Sequence, residues 1–127
     1  RAHAAGAEVY PSLGGRSPSD AFRALAANGE ARARFARKCA EMVEDYDFDG
    51  LDVDWEYTGH RDHSGTTVDT ENYNLLLRDI RLKLDELGQR TGKFYGLTAA
   101  LPCGTKNIAS IDIPTIGQYL TEFNLMT

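Results

Sequence analysis

No run of this chain approaches the roughly 18 consecutive apolar residues that a membrane-spanning helix needs, so no such span is expected. Cysteine is scarce. Cys39 and Cys103 stand at no metal-ligand spacing, which leaves one disulfide or two buried free thiols as the alternatives. An excess of positive charge is also missing: 14 Lys and Arg are interspersed among 19 Asp and Glu, and the net charge of −5 excludes an extended nucleic-acid surface. There is no Asn-x-Ser/Thr sequon, internal repeat, low-complexity tract or dividing linker. The chain opens Arg1-Ala2-His3 without a Met or a charged-then-apolar leader, and it stops at Leu125-Met126-Thr127 inside an apolar run. Both ends are therefore expected to be cut, and the lack of a signal peptide says nothing about secretion. What remains is ordinary globular composition, 42% apolar and 26% charged, sufficient for one core.

Hydrophobic periodicity divides the 127 residues into alternating elements. Glu8 to Leu13 is a short β-type run ending at Gly14-Gly15, and Ser17-Pro18-Ser19-Asp20 opens a short helix over residues 19 to 28. A second helix over 30 to 45 carries Phe35, Cys39, Met42 and Val43 at helical spacing. A strand over 48 to 56 follows, then a glycine- and threonine-rich loop over 57 to 68. Asp69 starts a long helix with the stripe Tyr73, Leu76, Leu77, Ile80, Leu84 and Leu87, and Gly88 and Gly92 mark its end. Lys93 to Leu101 is a strand, Pro102 to Gly104 a turn, Ile113 to Leu120 a short helix, and Phe123 to Met126 the opening of a fourth strand. This alternation predicts an α/β fold with parallel strands and crossover helices. Four strands do not close a barrel, and on pattern alone an open doubly wound sheet is also compatible. In either case the site belongs at the carboxyl ends of the strands, where Glu56 lies.

Residues 49 to 56 read Asp49-Gly50-Leu51-Asp52-Val53-Asp54-Trp55-Glu56. On a strand, Asp52, Asp54 and Glu56 share one face with neighbours roughly 6 to 7 Å apart along the chain, and Leu51, Val53 and Trp55 make the other face. Like charges so placed repel and resist desolvation, so this stretch reads as an active site. The span from Asp45 to Glu56 also satisfies the EF-hand calcium pattern through Asp45, Asp47, Asp49, Gly50 and Glu56. Against it, Tyr57-Thr58-Gly59-His60 is poor helix sequence, Asp52 falls where an EF-hand packs an apolar residue, and there is no second loop. A divalent-metal site on Asp52 and Asp54 would need a further ligand, and none stands at suitable spacing.

The same segment resembles the family 18 glycoside hydrolases, the chitinases and their relatives. Their signature Asp-x-x-Asp-x-Asp-x-Glu is met by Asp49, Asp52, Asp54 and Glu56, with Gly50 after the first acid and Trp55 before the last. Upstream, Ser12-Leu13-Gly14-Gly15 is similar to the Ser-x-Gly-Gly element that ends the third barrel strand. Downstream, Tyr95 to Pro102 is similar to the fifth strand, and Met126-Thr127 to the start of the Met-x-Tyr-Asp element of the sixth. The resemblance implies that residues 1–127 are part of one family 18 catalytic domain, a TIM-type (β/α)8 barrel fragment covering about strands three to six.

It further implies a chitinase that cleaves β-1,4 bonds between N-acetylglucosamine units with retention, or alternatively an endo-β-N-acetylglucosaminidase on glycoprotein glycans or a non-catalytic chitin-binding lectin. Glu56 would be the general acid, its task helped by neighbouring carboxylates and partial burial. Asp54 would orient the substrate's N-acetyl group, and Asp52 would share a proton or hydrogen bond with Asp54 as part of a coupled set. Tyr57 and Met126 are the substrate-contact candidates, with loop packing the alternative for Tyr57. Asp49, Ser12, Gly14 and Gly15 are expected to be structural support, Ser12 by a hydrogen bond to the acidic strand, and Trp55 is expected to pack in the core. His60, Asp62 and His63 read as a solvated loop. No metal or cofactor is implied, and the partners are chitin or N-acetylglucosamine oligosaccharides, without nucleic acid or membrane. The family resemblance implies an extracellular enzyme whose isolated fragment is inactive. Thr58 departs from the Pro that many relatives carry after Trp-Glu-Tyr.

Overall fold

The computed structural model describes residues 1–15, 19–58 and 67–127, without the side chains of Ser19, Asp20 and Thr67. The loop holding His60, Asp62 and His63, and the Ser17-Pro18 helix start, lie outside the described residues. After a single 3-10 turn, His3–Ala5, the elements are β1 Ser12–Gly15, α1 Ser19–Ala27, α2 Gly29–Asp45, β2 Gly50–Trp55 and α3 Thr67–Thr91. Then come β3 Gly96–Pro102, α4 Thr105–Ile108, α5 Ile113–Ile116 and β4 Glu122–Met126.

Local chemistry accounts for most of these boundaries. Asn28 caps α2 by accepting the Ala31 N–H at 3.0 Å, and Glu30 lies in the first turn, where the helix dipole favours a negative charge. Gly92, at φ 75°, ends α3 in the left-handed conformation that glycine adopts without penalty. Gly88 lies inside that helix rather than at its end, because helical hydrogen bonding runs past it: the Gly92 N–H donates to the Gly88 carbonyl at 2.8 Å and the Thr91 hydroxyl to the Leu87 carbonyl at 3.0 Å. Asp112 caps α5 by accepting the Thr115 N–H and O–H at 3.2 and 2.6 Å.

Two boundaries differ from the sequence reading for identifiable reasons. The first strand occupies Ser12–Gly15 rather than residues 8 to 13. Val9 and Pro11 do accept the Asp49 and Asp52 N–H groups, at 3.0 and 2.9 Å, but Pro11 has no N–H with which to return a ladder bond. The turn expected at Pro102 to Gly104 is followed by the unforeseen helix α4, while Pro102 itself closes β3.

The four strands form one parallel sheet in the order β1-β2-β3-β4. Chain order and spatial order coincide. A doubly wound sheet reverses direction at a switch point, so this arrangement selects the singly wound progression of a barrel. Leu51, Val53 and Trp55 of β2 and Leu97, Ala99 and Leu101 of β3 join one core with Phe22, Ala36, Val43, Leu76, Leu77, Ile80, Leu84 and Ile116 from the helices. Trp55 is 4% exposed, stacked on Phe22 at 5.8 Å and edge-on to Tyr73 at 5.6 Å, so it is a core residue and no sugar platform. Cys39 and Cys103 are both free. Cys39 is buried, which pushes its thiol up to about 12, but Cys103 is exposed, so neither alternative, a disulfide or two buried thiols, describes the pair; Cys103 follows the last residue of β3 outside the core. Among the described residues, no helix is long and apolar enough to cross a membrane.

Among the described residues β1 and β4 each have a single neighbour, and on β4 Phe123 and Leu125 are 41% and 59% exposed. Unpaired parallel edges next to bare apolar side chains recruit other chains. The 127 residues expressed alone are therefore expected to aggregate at micromolar concentration, measured by light scattering and sedimentation. A monomer that unfolds cooperatively would contradict this.

Candidate active site

Because side chains alternate along a strand, the face of the sheet opposite the helices receives Ser12, Asp52, Asp54, Thr98 and Asn124. Parallel register places Ser12 beside Asp52, Gly14 beside Asp54, and Thr98 on the other side of Asp52. Asp52 is 9% exposed, and its carboxylate is cradled by donors from the adjacent β1 and β3 and from β4 beyond. Ser12 Oγ donates to Oδ2 at 2.6 Å, Thr98 Oγ1 donates to Oδ1 at 2.6 Å, and Asn124 Nδ2 donates to Oδ1 at 3.0 Å. Beneath this layer the Tyr10 ring lies so close over Gly50 and Gly96 that any Cβ there would collide with it. Tyr10 thus packs on the amino ends of β2 and β3. A concavity of about 390 Å³ opens above it, bordered by Glu8, Tyr10, Ser12, Asp52, Thr98 and Glu122 among others.

Asp54 stands one step nearer the carboxyl end of β2. Burial, followed by the Glu56 and Asp52 charges and a hydrogen bond with Glu56, raises its carboxyl above the ordinary value. Its Oδ1 is buried without a hydrogen-bond partner, an arrangement that costs stability unless something uses it. Behind the strand, burial first and then the charges of Asp52 and Asp54 raise the Tyr73 hydroxyl. Glu56 is the first residue beyond β2, half-buried, and joined to Tyr57 by a cis peptide bond.

The Gly14-Gly15 pair explains how β1 can lie against this strand. Gly14 has φ 122°, and a Cβ there would meet the Asp54 carbonyl oxygen; Gly15 has φ 98°, and a Cβ there would come 3.9 Å from Asp54 Oδ2. A side chain at Gly14 would displace the backbone that carries Asp54.

The structure thus brings Ser12, Gly14, Gly15, Asp52, Asp54 and Glu56 to one place and leaves other candidates outside it. Asp49 precedes β2 and lies at the opposite end of the strand, roughly 20 Å from Glu56 by strand rise. There its Oδ2 accepts from the Val9 N–H and from His3 Nε2, both at 2.7 Å, and these bonds hold its carboxyl below the usual range. Met126 ends β4 beside Pro102, two strands from β2, at the carboxyl edge of the sheet. Tyr57 is half-buried in the turn after Glu56. Thr58 is 2% exposed and its carbonyl accepts the Ser110 hydroxyl at 2.6 Å, so this position ties the turn to the α4–α5 connection.

The calcium reading fails on geometry. Gly50–Trp55 is strand rather than loop, and Asp47 and Asp49 are engaged by Lys93, His3 and the Val9 N–H. Among the described residues, no three His, Cys, Asp or Glu side chains converge on a metal position.

Thr98 and Asn124 are the site residues that sequence reasoning missed. Each is a polar residue flanked by apolar ones, Leu97-Thr98-Ala99-Ala100-Leu101 and Phe123-Asn124-Leu125. That anomaly was the available signal. It acquires meaning only once register places both beside Asp52.

A singly wound parallel sheet with helices on one face, and stacked carboxylates emerging at its carboxyl edge on the other, is the construction of a barrel glycoside hydrolase. Comparison with known proteins agrees. The chain belongs to the glycosyl hydrolases family 18, whose family model matches residues 1–127. It is 37% identical over 119 residues to chitinase A1 of Niallia circulans, covering 91% of this chain and 17% of that protein. Chitinase ChiA74 from Bacillus thuringiensis superposes with a TM-score of 0.91 at 33% identity, covering 98% of this chain and 20% of that one. A mutant of the Ostrinia furnacalis Group II chitinase catalytic domain 2, in complex with penta-N-acetylchitooctaose, superposes with a TM-score of 0.84 at 28% identity, covering 98% and 32%. The chain thus spans between about a sixth and a third of these relatives and corresponds to part of a TIM barrel.

Proposed function

We propose that residues 1–127 form part of a catalytic domain that hydrolyses the β-1,4 bonds of chitin by a retaining, substrate-assisted mechanism. The observation that carries this reading is the set Asp52, Asp54 and Glu56 on one strand face, with the Asp54 carboxyl raised and hydrogen bonded to Glu56. Family 18 enzymes stand among the exceptions to the two-carboxylate glycosidase scheme, so no protein nucleophile is called for. Glu56 donates a proton to the glycosidic oxygen as the bond to the anomeric carbon breaks. The carbonyl oxygen of the N-acetyl group then bonds to that carbon, and Asp54 holds the N-acetyl N–H. Water next adds to the anomeric carbon from the opposite face as the bond to the N-acetyl oxygen breaks, giving its proton to Glu56 and restoring the N-acetyl group and the sugar's original configuration. The unpartnered Oδ1 of Asp54 is a suitable acceptor for the N–H. Tyr57 and Met126, both at the carboxyl edge, are proposed to contact the sugar. The enzyme is proposed to act outside the cell, where such a polymer is met.

The test is to incubate the full-length protein with N-acetylglucosamine tetramer to hexamer and follow product anomers by proton NMR. Early release of the β-anomer is expected. Initial release of the α-anomer would overturn the retaining mechanism, and oligosaccharide binding without cleavage would favour a lectin.

A further inference from the structure

The concavity around Asp52 is bordered by a set of groups that carry no positive charge. Glu8 and Tyr10 approach from the segment before β1, Glu122 from β4, Asp54 and Glu56 continue along β2, and Tyr73 lies behind the strand on α3. Among the described residues, no Lys, Arg or His borders this concavity. The Asp52 charge is therefore held by hydrogen-bond donors alone.

Those donors are not equivalent. The hydroxyls of Ser12 and Thr98 can donate or accept, and by themselves would suit a protonated Asp52 as well as a carboxylate. The amide nitrogen of Asn124 can only donate. It lies 3.0 Å from Asp52 Oδ1 and 3.2 Å from Thr98 Oγ1, so the Thr98 oxygen receives a hydrogen from Asn124 and its own hydrogen is left for Asp52. We propose that Asn124 is a positioning residue whose amide commits the Thr98 hydroxyl to Asp52, fixing Asp52 as the acceptor-only carboxylate and keeping the site's proton between Asp54 and Glu56. This inference rests on the catalytic reading of those three acids. Neither Asn124 nor Thr98 needs to touch substrate: they act through Asp52, and they reach it from β4 and β3.

Loss of either donor leaves an Asp52 oxygen without its hydrogen, so that oxygen competes with Glu56 for the hydrogen carried by Asp54. In the full-length enzyme, Asn124→Leu and Thr98→Val are near-isosteric and remove only the polar function. Each is expected to move the acid limb of the kcat/KM profile upward by about one pH unit, the scale of one charge-assisted hydrogen bond. kcat should fall about tenfold while KM changes less, as for an interaction expressed mainly in the transition state. Thr98→Ser keeps the hydroxyl and should keep the acid limb in place. If Asn124→Leu fails to fold, as judged by thermal unfolding, the Thr98 pair still decides the matter. An unmoved acid limb in Thr98→Val, or a limb displaced equally in Thr98→Ser, would overturn the proposal. Glu56→Gln serves as the reference: if that variant stays active the catalytic reading itself fails, whereas an inactive Glu56→Gln beside unmoved Thr98 profiles refutes only the role of Asn124.

Discussion

Glu56→Gln in the full-length protein is expected to lower hydrolysis of N-acetylglucosamine oligomers by roughly 10² to 10⁴ or more, the range that a positioned general acid contributes. The amide preserves the size of the side chain and can still hydrogen bond with Asp54. It cannot release a proton to the glycosidic oxygen, nor take one from the attacking water. Binding should survive, since the substitution leaves Asp54 and the Asp52 cradle of Ser12, Thr98 and Asn124 in place. Turnover by reducing-end release and affinity by calorimetry separate the two effects. Turnover comparable to the parent would remove Glu56 from the mechanism.

Asp54→Ala is expected to cost roughly 10² or more in kcat, because the attacking N-acetyl oxygen loses the group that aligns it. Asp54→Asn divides the contribution. It retains an oxygen for the N–H but cannot carry a proton, and the raised Asp54 carboxyl is the group that burial and the Glu56 and Asp52 charges keep protonated to higher pH than an ordinary aspartic acid. As pH rises through that value the proton between Asp54 and Glu56 is lost, so activity falls on the alkaline side, and Asp54→Asn should displace this limb. Cellulose oligomers, which have no N-acetyl group to align, should be poor substrates for the parent enzyme and no worse for Asp54→Ala. Efficient cleavage of cellulose oligomers by the parent would contradict the role assigned to Asp54.

The alternation of Leu51, Val53 and Trp55 with Asp52, Asp54 and Glu56 could be read directly, because the two faces of a strand follow from covalent geometry alone. The long helix was legible for the same reason, since its stripe from Tyr73 to Leu87 is dense and strictly periodic. Short elements were harder. The α4 turn over Thr105–Ile108 carries too few residues for a period, and the slip of β1 from residues 8–13 to Ser12–Gly15 depended on which Pro11 hydrogen bonds were available. The functions of Gly14 and Gly15 are likewise invisible locally, because what a Cβ would strike there belongs to Asp54, some forty residues away.

By itself, then, the sequence determined the kind of elements, the acidic face and the family to which its motif points, all of which depend on near neighbours along the chain. Tertiary structure decided that the sheet progresses in chain order, that Asp49 serves the far end of its strand with His3 and Val9, and that Asp52 is held by Ser12, Thr98 and Asn124. Those contacts join residues 40 to 72 positions apart; the register between parallel strands specifies the Asp52 set, and the packing of the segment before β1 specifies the Asp49 set.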